Sequence, residues 1–349
     1  MKPLHTTSRH AQRAFSLTEI MVGMVIGMLG IIIIMQMTSL FESRKRTTTG
    51  GDDAQNGGAI ALYSLQNQIS QAGYGISNSN LIGKPLRTPN LQLDPALIAA
   101  SSRLYPVIVN PIQLAAVQTA NTDSFIVIYG TGNTTAEGAL ISNSTATLPY
   151  VVTGGTGSNG AALGEGGKSF AINEWVIPSQ SGVIATHNMY QVIGPTSTNV
   201  VAVSSVPPAL SYTVNQANPP LLYNLGTTPV ILAYAVINGT LSVCDYFAQN
   251  CAANAGAWSA LADGIVSMRA QCNANSGLRI ALVSRSVQID LNVVTTATPT
   301  WNPNGASAVV EANPAANWGA NWNRYRYKTF ETIVPIRNAI WAGVPGCQP

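Results

Sequence analysis

In a chain of 349 residues, long enough for one large domain or two ordinary ones, only 9% are charged, about a third of the usual share. Of the 17 Lys and Arg, three (Lys2, Arg9 and Arg13) fall in the first 14 residues, and the remainder equal the 14 Asp and Glu. Past that leader the charge balance is near zero, which excludes a global electrostatic pull on nucleic acid or anionic lipid.

Residues 1–14 are too polar for a secretory h-region, and the apolar run that follows is too long for one. Ile20 to Phe41 is 22 residues without a formal charge. As a helix it would measure roughly 33 Å, enough to cross a bilayer core of about 30 Å. On hydropathy alone a plain signal anchor is the simpler reading. Flanking charge leaves its orientation open, because Arg44, Lys45 and Arg46 match the leader cations. A single acid, Glu19, stands at the upstream edge, where an ionisable group is costly and therefore a functional candidate.

The entry Phe15-x-x-x-Glu19 into an apolar helix resembles the N-terminus of type IV prepilins. The resemblance implies cleavage by prepilin peptidase between Ala14 and Phe15, methylation of the new amine at Phe15, and an assembly role for the Glu19 carboxylate. It also puts the leader in the cytoplasm and everything after Phe41 outside. Prepilin sites usually carry Gly before the cut; here Ala14, the smallest alternative, stands there.

Ser43 to Gly58 holds four glycines and three consecutive threonines. An interior Gly costs about 1 kcal/mol relative to Ala, so a softened helix is expected near residues 47–58. Helical spacing returns with Ala61, Leu65, Gln68 and Ala72 on one face beside Leu62 and Ile69, and Gly73 and Gly75 end it. Gln55-Asn56, the helix, and Ala72-Gly73-Tyr74-Gly75 are similar to the PilW branch of minor pilins.

The middle of the chain offers short apolar runs at 125–129, 175–177 and 200–203, read as strands between Gly, Pro and Asn clusters. No Asp, Glu, Lys or Arg occurs between Trp175 and Val243, consistent with a long neutral surface or a face toward a neighbour. Gly155, Gly157 and Gly160 fit G-x-G-x-x-G, and Gly167-Lys168-Ser169 resembles the tail of a phosphate loop. Neither is followed by an amphipathic helix whose N-terminus could hold phosphate, so both are read as loops.

Asn238-Gly239 between two β-prone runs predicts a type I′ hairpin. Gly264–Cys272 and Leu278–Ser286 alternate as paired strands would, and Arg324–Asn338 alternates up to Pro335. Arg279-Ile280-Ala281-Leu282-Val283 and the closing Ile336-Arg337-Asn338 also resemble the PilW family. All four cysteines follow the apolar segment, which favours disulfides, with three possible connectivities. Cys244 and Cys251 close a short loop after the hairpin and form the favoured pair, leaving Cys272 to tie a strand to Cys347 near the C-terminus.

No catalytic constellation stands out. Past the leader the only histidine is His187, expected as a solvated loop residue. No G-x-S-x-G elbow occurs, the cysteine spacing is not C-x-x-C, and Asp52-Asp53 lies in the Gly-rich stretch. No metal, cofactor or enzymatic activity is expected.

The expected fold class is α+β and pilin-like: a long N-terminal helix, its first half membrane-spanning, packed on an antiparallel β-sheet head with long insertions. The expected division is a leader (1–14), a transmembrane and filament-core helix (15–41), a Gly-rich break with the second half of the helix (42–76), and a β-rich head (77–349). By resemblance the chain is a minor pilin of the type IV pilus, anchored in the inner membrane with its head in the periplasm and later part of the fibre at the cell surface. Its implied partners are other minor pilins, the major pilin, prepilin peptidase, inner-membrane lipid before assembly and a large tip adhesin, with no nucleic acid. The J-type pseudopilin of type II secretion and a membrane-tethered periplasmic adhesive or binding domain are the alternatives.

Overall fold

The structure is a computed structural model, and it describes residues 16–88, 92–93, 103–132, 138–141, 150–153, 155–156, 162–163, 170–180, 187–194, 200–204, 220–253, 255–273 and 277–348. The chain divides into two compact units, Met1–Thr49 and Gly50–Pro349. The first is the beginning of helix α1 (Leu17–Gln71). The second holds the rest of α1 and a β-rich head, giving the α+β class that the apolar helix and the alternating C-terminal runs predict.

The strands of the three largest sheets begin with β1 (Val107–Val109), β2 (Phe125–Tyr129), β3 (Ala139–Ile141), β4 (Tyr150–Thr153), β5 (Trp175–Ser179), β6 (Tyr190–Gln191) and β7 (Val200–Val201). Next come β8 (Leu221–Gly226), β9 (Val230–Ile237), β10 (Thr240–Asp245), β11 (Ser259–Asp263), β12 (Ile265–Asn273), β13 (Gly277–Arg285) and β14 (Tyr327–Pro335). They build a five-stranded sheet in the order β11-β10-β9-β2-β1, a six-stranded sheet β6-β5-β8-β3-β4-β7 and a three-stranded sheet β12-β13-β14. Neighbours in all three are antiparallel. Two short helices, α2 (Pro314–Asn317) and α3 (Arg337–Ala342), lie near the C-terminus.

The main core forms where the second half of α1 meets the sheets. Ala61, Leu65, Ile69 and Ala72 share one face of the helix and are buried with Phe125, Tyr234, Met268, Leu278, Ile280 and Val334. Side chains alternate across a strand, so β2 serves two cores: Phe125, Val127 and Tyr129 join this one, whereas Ile126 and Ile128 join Leu86, Leu104, Met189 and Tyr223 on the other face. Burial on both faces is why this strand reads as an unbroken apolar run rather than an alternation.

The softened helix expected at residues 47–58 is not found: all of them are helical. Gly50, Ala54, Gly58, Ala61 and Leu65 continue one buried helical stripe. A Cβ on Gly58 would overlap the Phe330 ring, and one on Gly50 would sit 3.3 Å from Ser286 Cβ. These two glycines therefore let α1 approach β14 and the end of β13 closely, and packing outweighs their intrinsic helix cost.

The helix stops where Gly73 (φ 85°) and Gly75 (φ 74°) take left-handed backbone. Its orphan C-terminal carbonyls are met from α3, where Asn338 Nδ2 donates to the oxygens of Gln71 (3.1 Å) and Ala72 (3.0 Å). The hairpin forms at Asn238 (φ 51°) and Gly239 (φ 81°), pairing Ile237 with Thr240. β12 and β13 pair with Cys272 opposite Leu278, and β14 joins β13 over nine residue pairs, Gly277/Pro335 through Arg285/Tyr327.

Candidate functional site

Ala14 and Phe15, the residues that flank the implied cleavage, lie outside the described residues, as does the leader. The described chain enters α1 at Ser16, whose carbonyl accepts from the amides of Glu19 (3.0 Å) and Ile20 (3.2 Å). Glu19 occupies the first turn, where a carboxylate complements the positive end of the helix dipole, and it is exposed.

Leu17–Glu42 is 26 residues of mean hydropathy 2.4 with none of its most apolar window buried. A soluble core helix of that composition would hide one face. Here Met24, Ile26, Ile33, Met35, Leu40 and Phe41 are all exposed, around the whole circumference. A Cβ added to Gly23, Gly27 or Gly30 would meet nothing within 4 Å. Such a surface requires lipid or other apolar helices around it.

In the head, the disulfides join Cys244 to Cys251 and Cys272 to Cys347, with Cα separations of 5.9 and 5.7 Å. The second fixes the C-terminus beside β1: Val107 bridges Cys347 in parallel, its amide donates to Gly346 O, and Gln348 N donates to Val107 O, both at 3.0 Å. The loop between β1 and β2 is stitched to β12 by Asp123. Its carboxylate accepts from Asn110 Nδ2 (3.0 Å) and Ala270 N (2.9 Å) and faces Arg269 at 3.7 Å. Nothing local in the sequence marks this acid, because its partners lie 13 to 147 residues away.

His187 corrects the expectation of a solvated loop residue. It lies fully buried on a short strand, His187–Asn188, that pairs in parallel with Leu86–Arg87, and its Nε2 lies 2.8 Å from Ser179 Oγ. Burial pushes its pKa from 6.5 down to about 4, so the ring is neutral at physiological pH. Ser179 in turn donates to Asn80 O at 3.2 Å, and among the described residues no acid completes a triad. Asp52 and Asp53 are exposed on α1. Among the described residues no three His, Cys, Asp or Glu gather as metal ligands would. The phosphate-loop-like strings fall largely outside the described residues; Gly155-Thr156 pairs with Ala162-Leu163 as a small ladder.

Residues 9–35 match the family described as Prokaryotic N-terminal methylation motif. Comparison with curated proteins and with solved structures gives no match. The matched segment contains Ala14, Phe15 and Glu19 and runs into the exposed apolar helix. That motif and helix together support a type IV pilin-like protein with a prepilin-type N-terminus, processed by prepilin peptidase and anchored in the inner membrane through α1.

Proposed function

We propose that the protein is a minor pilin of the PilW type, a structural subunit without enzymatic activity, that primes or joins the type IV pilus with other minor pilins. The observation that carries the reading is the prepilin-type motif leading into a helix whose apolar circumference is wholly unburied. Before assembly, lipid covers that surface; in a filament, the helices of neighbouring pilins would. The transfer keeps the helix in apolar surroundings, so it needs little desolvation of the helix itself.

Cleavage between Ala14 and Phe15 would create an amine four residues from Glu19. In hydrocarbon an unpaired carboxylate is expensive, so pairing Glu19 with the Phe15 amine of the same or a neighbouring subunit would specify helix register. The β-rich head would stay in the periplasm and reach the cell surface with the fibre. Contact with the major pilin and a large tip adhesin follows from the PilW resemblance.

The test is complementation of a deletion strain. The full chain is expected to restore surface pili, and Glu19→Val to leave the protein in the membrane with few or no pili. Normal piliation by Glu19→Val would remove the role of the carboxylate. Unchanged piliation in the deletion strain, with a defect in type II secretion instead, would move the protein to the J-type pseudopilins.

A further inference from the structure

An open cleft in the head is walled by side chains that take no part in the N-terminal site. The end of α1 contributes Gln71, the turn after it Tyr74, β2 contributes Tyr129, and α3 contributes Arg337, Asn338 and Trp341. They surround about 430 Å³, within the ~300–1,000 Å³ range of small-molecule sites. Trp341 is 79% exposed and Tyr74 38% exposed, so large aromatic surface is left to solvent at the cleft.

The frame is fixed by its own hydrogen bonds. Tyr74 Oη donates to Gly132 O at 2.9 Å, Tyr129 Oη donates to Gln68 Oε1 at 2.7 Å, and Asn338 spends its amide protons on the end of α1. Among the described residues the Asn338 carboxamide oxygen has no donor and can accept. Arg337 is exposed and, among the described residues, forms no ion pair or side-chain hydrogen bond. Among the described residues no Asp or Glu lines the cleft.

We infer that this cleft binds a saccharide that carries a carboxylate, such as a uronic acid unit. A solvent-exposed indole offers its π face to the C–H face of a pyranose, while the guanidinium fork matches a carboxylate in geometry and charge. Gln71 and the Asn338 oxygen are placed among the ring hydroxyls. A single cation is a poor match for a polyphosphate, and an open cleft lined by Ser70, Gln71, Arg337 and Asn338 is a poor match for a wholly apolar ligand. The inference rests on the head alone and does not require the pilin reading.

The test is calorimetric titration of the full-length protein in detergent with trigalacturonate, with galactotriose as the neutral comparison and triglutamate as the acidic peptide comparison. Saturable binding of trigalacturonate is expected, weakened about tenfold or more in Trp341→Ala, as loss of an aromatic platform should do. Arg337→Gln should abolish the preference for the acidic over the neutral sugar. Both side chains are exposed, so the variants should keep the wild-type thermal transition. Absence of saturable binding, binding indifferent to both substitutions, equal binding of galactotriose, or preferential binding of triglutamate would each overturn the assignment.

Discussion

At Gly58 a missing side chain decides how closely α1 can lie on the head. Gly58→Ala would push a methyl into the Phe330 ring, and overpacking of this kind costs about 1–3 kcal/mol. Chemical denaturation should show that loss, with most of it recovered when Phe330→Leu makes room. Gly51, two turns back and with open space around it, should behave oppositely: Gly51→Ala is expected to gain about 0.5–1 kcal/mol. Equal effects at the two positions would mean that helix propensity rather than packing governs this stretch. His187 makes the second residue-scale prediction. Its folded pKa of about 4 lies below the ordinary 6.5, so the unfolded chain binds the extra proton first. Stability contributed by the neutral ring is complete above pH 6.5 and declines as pH falls toward 4, by roughly 3 kcal/mol in all. Denaturation midpoints of wild type and His187→Gln should therefore differ in slope within that window and run parallel below it.

At the scale of elements, the two disulfides constrain loops of different size. The Cys272–Cys347 separation is 75 residues and the Cys244–Cys251 separation is 7. Loop-closure entropy then assigns about 4 kcal/mol to the first and about 2 kcal/mol to the second. Paired Cys→Ser replacement of the first should lower the melting transition more, and the reverse order would show that the C-terminal tie contributes little. The strands most legible in the sequence share a property: β9, β10, β12, β13 and β14 are long, and the hairpin at Asn238-Gly239 fixes its own register locally. Two strands of the six-stranded sheet, β5 and β7, were legible as short apolar runs at 175–177 and 200–203, but the order of the sheet was not, because its pairings are distant. Leu222 lies between Ala139 and Pro178, a register no local pattern encodes. The Gly-rich stretch misleads for a related reason: its helix cost is local and visible, whereas the Phe330 contact that offsets it comes from 272 residues further along the chain. His187 likewise reads as solvated because the strand that buries it, Leu86–Arg87, is a distant partner. The cleft between α1 and α3 draws on three separated segments, around Gln71, Tyr129 and Trp341, and no local pattern in the sequence brings them together.

At the scale of the whole molecule, two parts divide the work. The N-terminal apolar helix and the methylation motif were readable from sequence, because charge, hydropathy and residue spacing are local properties. The head gives the opposite case, since it matches no curated protein or solved structure, and its neutral stretch from Trp175 to Val243 carries no charged handle. In the proposed reading, assembly rests on the first part and saccharide recognition on the second. The measurement that bears most directly on this division is the N-terminal mass of membrane-extracted protein from strains with and without active prepilin peptidase. The account predicts a chain beginning at methylated Phe15 in the first strain and at Met1 in the second. A chain beginning at Met1 in both strains would contradict it, leaving an ordinary signal-anchored protein.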